Sequence, residues 1–344
     1  MNARTMRAAV LYDVDDVRIE ERTVPELSEG DILVRTRASG ICSGDVMPWY
    51  IRRKAPLVLG HEPAGVVADV RGDAPFRVGD RVFAHHHAPC FECRFCARGE
   101  YVQCATWRAT KIDPGGIAEY FRVAPANQRD TLVLPPDVAF PDASLVEPLA
   151  CVVKSLRRSG LRAGDRCYVI GLGVMGLLHT LAARSLGAEV FGGDFLEARR
   201  HVAERGGAIA FHPDAVRAAL PDGADVVVCG PGTSAAMEAA VDAVAPGGTV
   251  VMFTPFPPEV RVSIDSTRMY FGDLRVVASY SCGPDDTRKA LELITSGIVS
   301  ASKVGAELVA LDEVPRAYRQ LAQSQIIKPI VTFGEDESSW AHRE

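Results

Sequence analysis

Tyr168-Val169-Ile170-Gly171-Leu172-Gly173-Val174-Met175-Gly176 is the stretch that decides the fold. Three apolar residues run into glycines spaced G-x-G-x-x-G, and a helical pattern follows from Val174 to Leu186. A strand before and a helix after are the context this spacing requires. Gly171 permits a tight turn, Gly173 lets the backbone approach a pyrophosphate, and Gly176 allows close packing of helix on strand. Gly171, Leu172, Gly173, Val174, Met175 and Gly176 are therefore expected to bind a dinucleotide. The next strand ends at Asp194, 18 residues after Gly176. A carboxylate there would accept hydrogen bonds from an adenosine ribose and repel a 2′-phosphate, which favours NAD over NADP. Arg199 and Arg200 temper that preference. They read first as solvated positions of the following helix, with Arg199 kept as a cofactor-side candidate.

Outward from this point the chain has two textures. From Gly160 to about Tyr280, apolar strands (Cys167–Ile170, Glu189–Phe191, Asp225–Cys229, Thr249–Phe253, Leu274–Ser279) are interleaved in their earlier part with helical stretches such as Leu196–Arg205 and Ala235–Val244. Apolar strands alternating with helices predict a doubly wound parallel sheet covered on both faces. Before Pro148 the chain reads instead as short strands broken by turns, including Asp31–Thr36, Gly65–Val70 and Arg81–Ala84. After the sheet come two amphipathic helices, Asp285–Thr295 and Val314–Gln323, and a last strand near Ile330–Phe333. The expected class is α/β. A β-rich domain spans 1–150, a dinucleotide domain 151–284, and a C-terminal segment 285–344.

Composition narrows the function. The chain has 344 residues, 47% of them apolar and 24% charged, as in ordinary globular proteins. A net charge of −6 gives no reason to expect nucleic acid or an anionic membrane as partner. The start, Met1–Val10, lacks the apolar run of a secretory signal, and no apolar stretch is long enough to span a bilayer. A cytoplasmic protein with reduced thiols is expected.

That matters for the cysteines. Four of the nine, Cys90, Cys93, Cys96 and Cys104, follow the pattern C-x2-C-x2-C-x7-C. Thiolates at this spacing can converge on one zinc, closing a tetrahedral site with no open position for a substrate. Paired disulfides are the rival reading, and the reducing compartment argues against them. The lobe, 85–107, is thus stabilised by zinc. A second set is looser: Cys42, Gly60-His61-Glu62-Pro63 and Glu147-Pro148 offer Cys, His and carboxylate, a mixed donor set that leaves a fourth position open.

At these residues the chain resembles the zinc-dependent medium-chain dehydrogenases/reductases, the family of alcohol, sorbitol and threonine dehydrogenases. The matching pieces are Gly40-Ile41-Cys42 with Asp45, Gly60-His61-Glu62, Gly79-Asp80-Arg81-Val82, the four-cysteine lobe, Gly115–Tyr120, Glu147-Pro148 and Gly171–Gly176. They keep the family's order across essentially the whole chain. The resemblance implies a GroES-like catalytic domain completed by the C-terminal segment, with a Rossmann domain between. It also implies two zincs per chain, one catalytic at the domain cleft and one structural, and NAD as cofactor. Cys42 and His61 fall on the family's catalytic zinc ligands, Glu147 on the third, and Glu62 on a glutamate used as ligand or exchange partner. Asp45 falls on the acid that orients the metal-bound histidine. The implied reaction is hydride transfer between a secondary alcohol (a polyol, sugar, cyclitol or hydroxy-amino acid) and nicotinamide. A homodimer or homotetramer is expected.

One departure affects the chemistry. The family usually carries Cys-x-Ser/Thr-Asp, whose hydroxyl relays the alcohol proton, but here the run is Cys42-Ser43-Gly44-Asp45. Either Ser43 moves into the role, or His85 or His87 of the run His85-His86-His87 supplies an imidazole. The alternative for that run is packing at the base of the lobe. If no relay is needed, the fold instead serves a reductase of iminium or conjugated double bonds. A non-catalytic dinucleotide-binding protein is the remaining reading, and the Cys42, His61, Glu62, Glu147 set argues against it.

Overall fold

The strand Ile32–Gly40 is buried over most of its length and acts as the hub of its sheet. In the computed structural model, which describes residues 4–334, it pairs antiparallel with Pro63–Val70, Tyr120–Val123 and Lys328–Thr332. Arg81–Ala84, Thr131–Val133 and Ala306–Ala310 extend this to seven strands. Ile32, Val34, Val67, Val82, Phe121 and Val123 form one core on it. Thr5–Asp13, Asp16–Thr23 and Leu57–Val58 make a separate three-stranded sheet. The alternating Val, Ile and Phe of these short segments suit half-buried strands, and the intervening Gly and Pro residues break them.

These elements belong to one of two compact units. It runs through Pro148 and takes in Gly283–Thr295 and the chain from Ala306; the other is Leu149–Cys282 with Ser296–Gly305. The last ten residues of the 285–344 segment lie outside the described residues.

The second unit is a six-stranded parallel sheet. Its order is Ile209–Phe211, Glu189–Gly193, Arg166–Ile170, Ala224–Cys229, Val244–Met252, Arg275–Ala278. Counted along the chain that is 3-2-1-4-5-6, the doubly wound order expected from the alternation. The order reverses beside Arg166–Ile170, so the Gly171–Gly176 turn emerges at the switch point, where such sheets bind ligands. Val174–Ser185, Glu197–Arg205 and Ser234–Ala243 are its helices. Among the elements the sequence pattern did not mark are Ile209–Phe211, Ala306–Ala310 and the helix Val146–Ser159. The first is only three residues long, and the last opens on Glu147-Pro148, which reads as a turn although proline suits a first helical turn.

Candidate active site

Strand Ile32–Gly40 delivers Cys42. The chain leaves the strand through Ile41, whose amide donates to Pro329 O at 3.0 Å, and turns into a 3-10 segment, Ser43–Val46, capped by Cys42 itself. The Cys42 sulfur accepts from the Gly44 amide at 3.3 Å. The turn buries Asp45 and fixes its backbone, because Tyr318 donates its hydroxyl to the Asp45 carbonyl at 2.5 Å.

His61 and Glu62 arrive on a loop that only glycine permits. Gly60 has φ +97°, and a Cβ there would lie 2.4 Å from the Ile117 nitrogen. The segment Gly115-Gly116-Ile117 closes on that loop, with Gly116 N donating to Gly60 O and Ile117 N to Leu59 O, both at 2.8 Å. Two motifs far apart in sequence are thus one packing unit. His61 Nδ1 stands 3.7 Å from Asp45 Oδ2. Burial opposes protonation of His61, yet Asp45, Cys42 and Glu147 around it hold its pKa well above the ordinary imidazole value. Burial pushes the Asp45 carboxyl up, with His61 pulling the other way.

The donor atoms of Cys42, His61 and Glu62 lie within 4.8 Å of one another. Glu62 is buried and hydrogen-bonded through Oε2 to the equally buried Lys328 ammonium, which also donates to Ile41 O at 3.2 Å. The pair rests on Gly40, where a Cβ would collide with both side chains. Glu62 Oε1 is buried without a hydrogen-bond partner. Lys328 gave no sequence signal for this role, because it lies 266 residues from Glu62.

Glu147, in the first turn of Val146–Ser159, is one of the charges around His61, and its carboxylate also lies within 4.8 Å of the donor atoms of His85 and His86. The histidine run divides its tasks. His85 is fully buried with Nδ1 2.7 Å from Asp130 Oδ2. His87 Nδ1 donates to Thr110 O at 2.5 Å, its ring packs on Trp107, and burial pushes its pKa down to about 4. The ring beside His61 is that of His86, centroid to centroid 5.1 Å. Neither expected candidate is the histidine nearest His61. Ser43 lies in the same 3-10 segment as Asp45 and is partly exposed. A Cβ on Gly44 would meet the Cys42 sulfur at an ordinary 3.4 Å, so the missing hydroxyl there is not excluded by space.

In the lobe the sulfurs of Cys93 and Cys96 are 3.5 Å apart, those of Cys90 and Cys104 3.6 Å, and those of Cys90 and Cys96 3.9 Å. Tetrahedral zinc with 2.3 Å bonds needs sulfur–sulfur edges of about 3.8 Å, so these four thiols fit the ion. Burial opposes ionisation of Cys104, but the amides of Cys90, Trp107 and Thr106 bring its thiol to about 6. At the other candidate metal set, the mixed Cys, His and carboxylate chemistry and the orphaned Glu62 Oε1 also fit zinc.

The dinucleotide loop is clamped by Asp194. Its Oδ2 accepts from Leu172 N at 2.7 Å and its Oδ1 from Leu196 N at 2.8 Å. Arg199 leans over the loop, 3.7 Å from Asp194 Oδ2, and Arg200 donates to the Asp194 and Phe195 carbonyls. Neither arginine is the freely solvated side chain expected from the sequence. A Cβ on Gly173 would meet only an Arg199 nitrogen at 4.0 Å, whereas one on Gly176 would lie 2.0 Å from Gly171 O. The loop therefore has an open cradle above Gly173 and a tight helix contact at Gly176, which fits a pyrophosphate.

Residues 28–137 match the alcohol dehydrogenase GroES-like domain family, and residues 174–296 the zinc-binding dehydrogenase family. The chain is 30% identical to the D-xylulose reductase A of Aspergillus oryzae over 346 residues, covering 94% of this chain and 95% of that one. It belongs to the zinc-dependent medium-chain dehydrogenases/reductases. Among solved structures, a zinc-binding dehydrogenase of Sinorhizobium meliloti bound to NADP has a TM-score of 0.86 at 28% identity, covering 96% of this chain and all of that one. The alcohol dehydrogenase TADH of Thermus sp. ATN1 gives 0.85 at 27%, covering 95% and 99%. As a member of this family the chain is an oxidoreductase of the alcohol dehydrogenase type, acting on a small molecule with zinc and a nicotinamide dinucleotide. No described helix is long and apolar enough to cross a membrane.

Proposed function

We propose that the protein interconverts a secondary hydroxyl of an uncharged polyol and the corresponding ketone with NAD, at Cys42, His61 and Glu62. The observation that carries this is the convergence of those three donors with an orphaned Glu62 oxygen aimed at no protein group. When bound, zinc supplies Lewis acidity and the dinucleotide supplies a hydride acceptor. The rest falls to the chain's own residues. Asp45 orients the His61 ring through Nδ1. Lys328 holds Glu62 by Oε2 and leaves Oε1 as its metal-side atom. The Gly171–Gly176 turn receives the pyrophosphate, and Asp194 meets the adenosine ribose, with Arg199 alongside. Gly44 carries no proton, so the substrate proton leaves by another group, and His86 stands nearest to His61 for that role.

The D-xylulose reductase relatives support a pentitol–ketose pair. Asp194 supports NAD, against the NADP of the Sinorhizobium structure. Cys90, Cys93, Cys96 and Cys104 serve as the structural zinc site of a protein from a reducing, cytoplasmic compartment. A homodimer or homotetramer has support in Tyr270 and Phe271, exposed by 78% and 81% next to the edge strand Arg275–Ala278.

The test is a panel of pentitols, hexitols, vicinal diols and primary alcohols, read by NADH or NADPH absorbance. Polyols should exceed primary alcohols in kcat/KM by about tenfold or more, and NAD should exceed NADP. Turnover restricted to primary alcohols, or of no alcohol, overturns the reading.

A further inference from the structure

Cys151 and Cys282 place two thiol sulfurs within 4.8 Å of each other, both in the unit that holds the parallel sheet. We propose that they are a modification site: hydrogen peroxide or an organic hydroperoxide joins them in a disulfide that slows turnover and that a dithiol reverses.

Three observations carry it. First, the two sulfurs are held in register by their neighbours. Cys151, Lys154 and Arg158 follow the helical repeat along Val146–Ser159 and so share one face. Lys154 Nζ donates to the Tyr280 carbonyl at 2.7 Å, and Arg158 Nε to the Ala278 carbonyl at 3.0 Å. The face thus runs antiparallel to the segment from Ala278 to Cys282, and Cys151 meets Cys282 where that pattern puts it. Second, access to the two thiols is unequal, as the chemistry requires. Cys151 is partly exposed and Cys282 is fully buried, so the first meets the oxidant and the second resolves it. Third, the other cysteines are committed elsewhere. Cys42 and the four of the lobe belong to the two candidate metal sets. Cys167 and Cys229 lie on adjacent strands, but Cys167 stands opposite Val226 and Cys229 opposite Ile170. Three steps along a strand separate them by about 10 Å, beyond the reach of a disulfide.

The step balances with the peroxide as oxidant. The Cys151 sulfur attacks the peroxide, the O–O bond breaks, and a sulfenic acid forms with one water, or an alcohol from an organic hydroperoxide. The Cys282 sulfur then displaces the sulfenic oxygen, which leaves as water with the remaining thiol proton. Two electrons pass from the pair of sulfurs to the peroxide. A bond of about 2.05 Å requires the sulfurs to close on each other. Lys154 and Arg158 anchor the later turns of the helix, so the shift falls on its first turn. That turn carries Glu147, one of the charges around His61, and its displacement slows the reaction.

The experiment treats zinc-loaded protein with hydrogen peroxide, alkylates the remaining thiols and maps linked peptides by mass spectrometry. A peptide pair joined through Cys151 and Cys282 should appear. Turnover should fall about tenfold or more with it, and return on adding dithiothreitol. Cys151→Ser and Cys282→Ala should each match wild-type turnover before treatment and keep most of it afterwards. Absence of the linked peptides overturns the proposal, as does a linked form with wild-type turnover. Equal losses in wild type and Cys151→Ser also overturn it, since the damage then lies at another thiol. If Cys282→Ala loses its native circular dichroism, Cys151→Ser decides alone. The bond rests on geometry and not on the polyol reading, so a protein inert toward every alcohol sinks that reading while the linked peptides still decide the site.

Discussion

Lys328 is a buried lysine whose ammonium meets Glu62 and the Ile41 carbonyl, directly behind the residues that surround Cys42. A buried charge survives only when paired, so the two side chains depend on each other. Replacing one partner strands the other. Lys328→Met should lower stability in urea unfolding by about 3–5 kcal/mol, and adding Glu62→Gln should recover most of the loss. An unchanged unfolding midpoint in Lys328→Met would contradict the pairing. At this scale the sequence was legible where residues stand in short motifs. Cys42, Asp45, His61 and Glu62 were all marked by local spacing, and the structure brings them together. Lys328 was not, because its contact is made by a strand pairing across most of the chain. The histidine run was half legible. Alternation along a strand says that neighbouring rings face opposite ways, but not which face meets His61, and the ring beside His61 is that of His86.

Elements were easier to read. Arg81–Ala84 has the boundaries expected, and Val174–Ser185 and Glu197–Arg205 end within a residue of theirs. Apolar periodicity and glycine punctuation carry that information locally. Ile209–Phe211 and Ala306–Ala310 lacked it, since they are strands by virtue of the neighbours they pair with. The Gly171–Gly176 turn also separates two functions that one motif joins. Gly173 faces open space and Gly176 faces backbone. Gly173→Ala should leave stability within about 1 kcal/mol of wild type, yet weaken NADH binding about tenfold or more in a fluorescence titration. Gly176→Ala should cost about 1–3 kcal/mol through overpacking and weaken binding as well. Equal NADH affinity in Gly173→Ala and wild type would remove this loop from cofactor binding.

For the whole molecule, the fold class followed from sequence because strand–helix alternation leaves few ways to build a sheet, and the family pattern runs nearly end to end. What the pattern did not hold was the pair of histidines that stands beside Glu147. Glu147 was expected beside Cys42 and His61; it is one of the charges around His61, and its carboxylate also lies within 4.8 Å of the donor atoms of His85 and His86. The central claim is that catalysis depends on a metal held by Cys42, His61 and Glu62. The most direct test strips zinc with a chelator, restores it in steps, and follows NADH formation from a reactive polyol in wild type and in Cys42→Ala. Wild-type turnover should vanish on stripping and return as zinc is added, while Cys42→Ala should stay inactive at every zinc level and still bind NADH. Full turnover by the stripped protein, or by Cys42→Ala, would contradict it.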